Sequence, residues 1–589
     1  MTPHQFPKKL ACTLTSALIV WSGATAPAAE PPGPDALDAY DVVWPEPSLN
    51  VAGSMPVGNG DLGINVWAEA DGSLQFLAGK TDTWDEHGRL LKLGKVRIDV
   101  TPNPFAKGLP FEQRTVLRDG VILVKAGEKG AEVRFRIWVD ANHPSARFEM
   151  TSDQPVGVKV TLENWRKEVR ELSGPELEGV DSFAPGEKAH VYPDTILSRP
   201  DELVWYHRNI KSIWPVSLKL QSLEALISQQ QDPLQNRTFG ASLTAPGLRA
   251  VNSTTLESVR PINETTITLH ALTKASDEGE TWPTDMARQV SENGLTASDA
   301  QRQAHAGWWR KFWDRSYLRI TGNDELYVIS RHWYLQRWVT AGTGRGEFPI
   351  KFNGTIFNLD GSHDPKGEKG PHDADYRQWG PAYWWQNTRH AYWNLAAAGD
   401  WEMMTPLFRM YLNALPLAKH RTKVYFGHEG AFFPETTTFW GTYVNDGGLG
   451  YGWDRTGKPP GLTQNQYIRY YYTGGLELVA LMLEYYDHSR DPKFTEETLV
   501  PMADAVLAFY ANHYQRDAAG KLRMEPAQML ETWWDVVNPT PDIAGLHFVT
   551  SRLLQLPEGS GVTPAQRERW DKLRAELPPS PGQPAMTRP

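Results

Sequence analysis

The sequence predicts a multidomain β + α chain: a β-sandwich, then a linker helix, then a helical domain. Three observations predict it. Between Tyr40 and Thr273, apolar and polar residues alternate in short runs bounded by turn residues. Near Ser298 the apolar period becomes that of a helix. Beyond it, helical segments are separated by long loops rich in Gly, Pro, Asp and Trp.

Residues 1–28 read as a secretory signal peptide. Lys8 and Lys9 precede an apolar stretch from Leu10 to Trp21, and Ala24 to Ala29 offers small-residue cleavage sites. That stretch is too short to span a membrane, and no later one qualifies. The expected mature chain is secreted or periplasmic. Cys12, the single cysteine, falls within the signal. A mature chain without thiols excludes disulfides, thiolate metal sites and cysteine nucleophiles. The formal net charge is −10, and about −12 without the two signal lysines. With no basic patch, nucleic acid is excluded as a partner. The 24 tryptophans are roughly three times ordinary usage. Indole rings pack flat on the C–H faces of sugars and still offer a donor, so an oligo- or polysaccharide is the favoured ligand.

The β-sandwich is placed at 38–275, from "GSLQFLAGK", "GKVRIDV", "GVILVKAG", "AEVRFRIWVDA", "ARFEMTS" and "GVKVTLEN". The linker helix is placed at 298–320, where Phe312 and Trp313 follow Trp309 at i+3 and i+4. The helical domain covers 324–577, with helices at about 325–341, 384–398, 401–418, 464–487, 493–513, 541–555 and 563–577. The tail, 578–589, cannot supply a core element. No dinucleotide or phosphate-loop pattern occurs and no His/Asp spacing suggests a metal, so no cofactor is expected. His363, Asp364, His372, Asp373 and Asp375 form a loose acidic-His loop, with calcium or zinc as the alternative to a plain loop.

Chemistry concentrates in "QMLETWWDVVNPTPDIAGL", residues 528–546. Glu531 stands just before Trp533 and Trp534, with Asp535 after them. A carboxyl pressed against indoles should lose solvation, which raises its pKa. A helix should follow, with Thr540 as N-cap and Pro541 in its first position. Glu435, in "AFFPETTTFWGTY", is a second carboxylate among aromatics: a base, a sugar-hydroxyl acceptor or a loop brace. Asp375, Asp446, Asp454 and Asp535 are weaker candidates. Trp379, Trp384, Trp385, Trp440, Trp453, Trp533 and Trp534 cluster in loops or at helix starts, and two or three should line a cleft. Trp393 and Trp401 should be core. Arg389 and His390 could face the cleft one turn into a helix.

Several segments, in order, resemble the family-95 glycoside hydrolases, the inverting α-L-fucosidases. These are "SMPVGNGDLGINVW", "KTDTWDE", "FPIKFNGTIFN", "WQNTRHAYWN" and "PAQMLE". A nearer resemblance is to an uncharacterised bacterial secreted family, domain of unknown function 5703, through "GKTDTWDEHGRLLKLGKVRI" and "ETWWDVVNPTPDIAGL". The resemblance implies a supersandwich-like domain followed by an incomplete (α/α)6-type barrel. It also implies a glycoside hydrolase without a cofactor. The family's general acid falls on Glu531. Its attacking water is held by two asparagines and a distant aspartate. The second asparagine matches Asn387, the first falls on Trp385, and the aspartate has no counterpart. Glu435, where the fucosidases carry a histidine, is the substitute base. Inversion needs acid and base ~6.5–9.5 Å apart. Trp84 in "KTDTWDE" and Asn353 in "FPIKFNGTIFN" would join the rim of the cleft. The alternatives are a polysaccharide lyase using Asn387, His390 and Tyr383 or Tyr392, and a glycan-binding homologue without turnover.

Overall fold

The computed structural model describes residues 34–580, apart from 182–186, 276–280, 321, 361–371 and 446–449. The signal-like stretch, His363, Asp364, Asp446 and the end of the tail lie outside the described residues.

The N-terminal part is one large β-domain, and every pairing in it is antiparallel. Its spine is the strand Ser145–Glu163. The first part of that strand pairs with Val133–Val139 and Ile262–Ala275. Its second part pairs with Leu90–Thr101 and Thr255–Ser258. One strand therefore passes between two layers, and their apolar faces meet in a common core that includes Val96, Ile98, Ile137, Phe148, Val160 and Leu269. Alternation drives this: Val96, Ile98 and Val100 point inward while Lys95, Arg97 and Asp99 face outward. Strand Ser73–Trp84 instead is buried along its whole length. Its outer face is covered by the loop around Ile356, whose carbonyl lies 2.4 Å from where a Cβ on Gly79 would sit.

A helix the sequence reading missed, Trp282–Asn293, packs Trp282, Met286 and Val290 against Val204 of the sheet. The linker helix, Asp299–Asp314, begins at Ser298 with a capping box. It joins the two halves. Trp309 lies 4.8 Å from Trp338, and the Trp313 indole donates to the Leu117 carbonyl at 2.7 Å. Gly120 (φ +68°) is required here, because a Cβ would fall 1.9 Å from the Trp309 ring nitrogen.

The C-terminal part is helical: Asp324–Thr343, Thr405–Phe426, Thr473–Ser489, Val500–His513, Thr540–Leu554 and Pro564–Glu576. Two expected helices are corrected. The span 384–398 is broken into a short strand Tyr383–Trp384 paired with Thr436–Thr437, then the short helices Trp385–Thr388 and Leu395–Ala398. The span 464–487 becomes helical only at Thr473. Before that, side chains take the backbone donors: Asn465 accepts from Tyr467 N and Gln528 from Tyr470 N, which competes with helix formation. The N-cap of the helix Thr540–Leu554 is Pro539 rather than Thr540. Trp393 is 40% exposed rather than core.

Candidate active site

The discontinuities just described frame a cavity. The hairpin Ala527–Met529 with Trp533–Val536 carries Glu531 at its tip. The broken segment 383–391 carries Trp384 and Asn387, and the non-helical run before Thr473 carries Asn465 and Tyr467. Together with Phe352 and Trp379, these residues line a cavity of about 360 Å³. This is the scale and make-up of a small-ligand site: aromatic walls with a few convergent polar heads. A neighbouring space of about 510 Å³ shares Phe352 and Asn387 with it and adds His390. Backbone strain gathers here too. Thr355, Trp379, Leu530, Asp535 and Asn538 all hold positive φ between 51° and 57°, a conformation that costs energy outside glycine.

The expected solvation of the two carboxylates is reversed. Glu531 is exposed, and so are Trp533 and Trp534, at 59% and 41%. The indoles do not press on it: Trp534 turns its N–H back to the Glu531 carbonyl at 2.6 Å and meets Tyr467 edge-on. Glu435 is the buried group, 1% exposed. Burial pushes it up to about 8, and the charge of Glu531 adds to the rise. Glu435 stands behind the cavity wall. One of its oxygens accepts from Gln386 N at 3.0 Å, and its backbone carbonyl accepts from Trp385 N at 2.9 Å. Glu435 does not line the cavity that holds Glu531 and Asn387, so the expected acid and base do not open onto one pocket.

The polar groups around Glu435 are unusual in what they lack. Among the described residues, Trp384 Nε1, Arg389 Nε and the hydroxyls of Tyr411 and Tyr471 have no hydrogen-bond partner. Buried polar groups are normally satisfied, so a cluster of exceptions marks a place built for other partners. Burial raises both tyrosines, and Glu435 raises them further. Glu477, which the sequence reading did not single out, accepts from the Trp385 indole at 2.5 Å and from Arg389. Asp542, also missed, is pushed up to about 6 by burial and accepts from Tyr510 at 2.6 Å and Thr473 at 2.8 Å. Glu477 was legible as an acid inside the apolar run "GGLELVALMLEYY".

Other candidates prove structural. Trp84 is fully buried against Phe348, Tyr383 and Phe439. The β-domain therefore does reach the loops of the helical half, but through a core contact. Trp385 and Trp440 are buried, and neither lines the cavity. Asn353 braces the loop below Trp379, donating to the Gln378 and Trp379 carbonyls. The Tyr383 hydroxyl donates to Pro349 O, and Tyr392 accepts from Ile350 N, so both lyase tyrosines are already engaged. Asp375 is fully buried, in ion pair with Arg166 at 2.7 Å. Asp454 and Asp535 are exposed. Among the described residues, no group of His, Cys, Asp and Glu gathers to hold a metal ion, and no helix is long and apolar enough to cross a membrane.

Comparison with known proteins follows the two halves. Residues 43–318 match the domain of unknown function 5703. No curated protein sequence matches the chain. A solved structure described as a kojibiose phosphorylase from the human microbiome aligns over 91% of this chain and 70% of its own. The identity is 12% and the TM-score 0.54. At that identity the likeness speaks for the fold: an antiparallel β-domain followed by a helical domain. A bacterial glucoamylase complexed with acarbose aligns over 90% of this chain and 70% of its own, at 11% identity and TM-score 0.37. A family GH92 α-mannosidase from Bacteroides thetaiotaomicron aligns over 88% and 62%, at 9% and 0.31. Both are too distant in shape to bear on the site.

Proposed function

We propose that the chain is a glycan-acting hydrolase in which Glu531 is the general acid. One observation carries the reading: among the described residues, Glu531 brings the one carboxyl group into a cavity otherwise walled by Phe352, Trp379, Trp384 and Tyr467 and the amides of Asn387 and Asn465. A sugar stacked on those rings would cover Glu531 and bring its carboxylic acid form against the glycosidic oxygen. The proton then passes to the leaving glycosidic oxygen as the bond to the anomeric carbon breaks. Water adds at that carbon and its proton is released. If Asn387 holds the water on the opposite face, the anomeric centre inverts. The neighbour described as a kojibiose phosphorylase supports a sugar-acting fold.

The substrate should be a neutral sugar chain. Arg389, whose charge acts on Glu435, is already matched by Glu477, and among the described residues no Lys or Arg lines the cavity that holds Glu531. That weighs against a lyase, which needs a cation for its uronate. The decisive experiment is Glu531→Gln assayed against 4-nitrophenyl α- and β-glycosides of glucose, galactose, mannose and fucose. Turnover by the parent chain and its collapse in the variant, with binding kept, is expected. Equal turnover in the two would end the general-acid role, and binding without turnover in either would favour a glycan-binding protein.

A further inference from the structure

Asn387 lies on the wall shared by both cavities, on a turn that is not part of any long helix. Such a turn needs something to fix it. The residues two before and two after Asn387 are held by one carboxylate. Glu477 Oε2 accepts from the Trp385 indole at 2.5 Å, and its Oε1 accepts from the Arg389 guanidinium. Glu477 projects from the first turns of the helix Thr473–Ser489, a rigid element of the helical core whose residues Leu476, Leu478 and Val479 are fully buried. The main chain of the same turn is held from the other side, by Glu435 through Trp385 N and Gln386 N. Trp385 itself is 1% exposed and lies edge-on to Tyr411 at 5.6 Å.

We infer that Glu477 is a positioning residue that clamps the turn 385–389 from both ends and so fixes the Asn387 amide in the cavity wall. It touches neither cavity itself. The clamp also matches the charge of Arg389 through one of its terminal nitrogens. A hydrogen bond to a charged partner is stronger than a neutral one. Two such bonds to one carboxylate leave the turn little freedom. That Asn387 serves a bound sugar rests on the function proposed above; the clamp itself does not.

The test has a substrate-free arm and a kinetic arm. In hydrogen–deuterium exchange, Glu477→Ala should speed exchange of the amides in 385–391 by about tenfold or more. The hairpin that carries Glu531 should be unchanged. Glu477→Gln keeps an acceptor for Trp385 but loses the ion pair, so it should fall between, and it stands in if the alanine variant does not fold. Equal exchange in the parent and both variants overturns the clamp. In the kinetic arm, on whichever of the nitrophenyl glycosides turns over, Glu477→Ala and Asn387→Ala should each lower kcat/KM by about tenfold or more. In combination they should cost little beyond either alone, because residues acting through one another are not additive. Additive losses would mean that Glu477 acts elsewhere and overturn its role at Asn387. Loosened exchange with full activity in Asn387→Ala would instead uphold the clamp and count against the catalytic reading of the cavity.

Discussion

Two buried polar clusters in this molecule look alike in composition and differ in satisfaction. The first joins the β-domain to the loop at 372–377. Arg166 pairs with Asp194 at 2.8 Å and Asp375 at 2.7 Å, and His207 reaches Asp194 at 3.1 Å and Glu86 at 3.2 Å. The Trp165 indole adds a bond to Asp375 at 2.6 Å. Burial pulls His207 down, but Glu86 and Asp194 outweigh it and hold it up at about 9. The second cluster surrounds Glu435, and there the polar atoms without partners accumulate. The difference separates two uses of the same side chains. A closed ion network fixes how the halves sit. An open one, beside a cavity, is held ready for something else.

The sharpest way to break the comparison is to open the closed network. Arg166→Ala would leave Asp375 buried without its paired guanidinium and Asp194 with His207 alone, and removal of one partner of a buried pair costs about 3–5 kcal/mol. We expect that loss in chemical denaturation. A loss under about 1 kcal/mol would mean that the network holds little. In the open cluster the order should invert. Glu531→Gln should leave stability almost unchanged, since the side chain is exposed. Turnover should fall on the order of 10²–10⁴-fold.

Much of the fold was legible because patterning is a local signal. The strands, the linker helix and most of the long helices follow from apolar periodicity. Less of the site was legible, for physical reasons. The helical pattern at 384–398 and 464–472 was real, but Glu435, Asn465 and Gln528 compete for the backbone donors there and break it. Desolvation is not legible from adjacency in sequence, because neighbouring side chains need not be in contact. Trp533 and Trp534 sit on the exposed strand of a hairpin, while Glu435 is sealed by segments distant in sequence. Trp84 failed as a sugar contact for the same reason: a strand covered on both faces has no free surface.

Glu435 offers the next test, through pH. Its folded pKa, about 8, lies above the ordinary 4.5. The folded chain therefore keeps a proton that the unfolded chain releases. Stability from this group is fully present below about 4.5 and is lost as pH rises through about 8. His207, raised to about 9 from 6.5, contributes in the same direction, so the difference between the parent and Glu435→Gln isolates the open cluster. That difference should swing in favour of the variant as pH rises from about 5 to about 9. A flat difference would mean that Glu435 is not carried neutral. Turnover is the companion measurement. Because the amide resembles the neutral carboxyl, Glu435→Gln should keep activity within about tenfold, whereas loss of a true base would cost about 10² or more.

The smallest effect belongs to Trp379, and it separates strain from function at one residue. Trp379 is 38% exposed, lies 6.0 Å from Trp384 and holds φ at +57°. A tryptophan gains nothing for stability in that conformation, which glycine adopts freely. Its backbone N–H still bonds to Glu178 O at 3.1 Å, and Asn353 holds its carbonyl, so the loop is fixed without the ring. Trp379→Gly should therefore leave the melting temperature level or slightly higher. It should also remove one face of the sugar platform. An aromatic contact of this kind is worth about 0.5–1.5 kcal/mol, or roughly 2- to 10-fold in KM, with kcat little changed because the contact is made in ground and transition states alike. Unchanged KM with improved stability would show that the ring does not meet the substrate. A fall in stability would show that it packs the loop and is not a platform held at a cost.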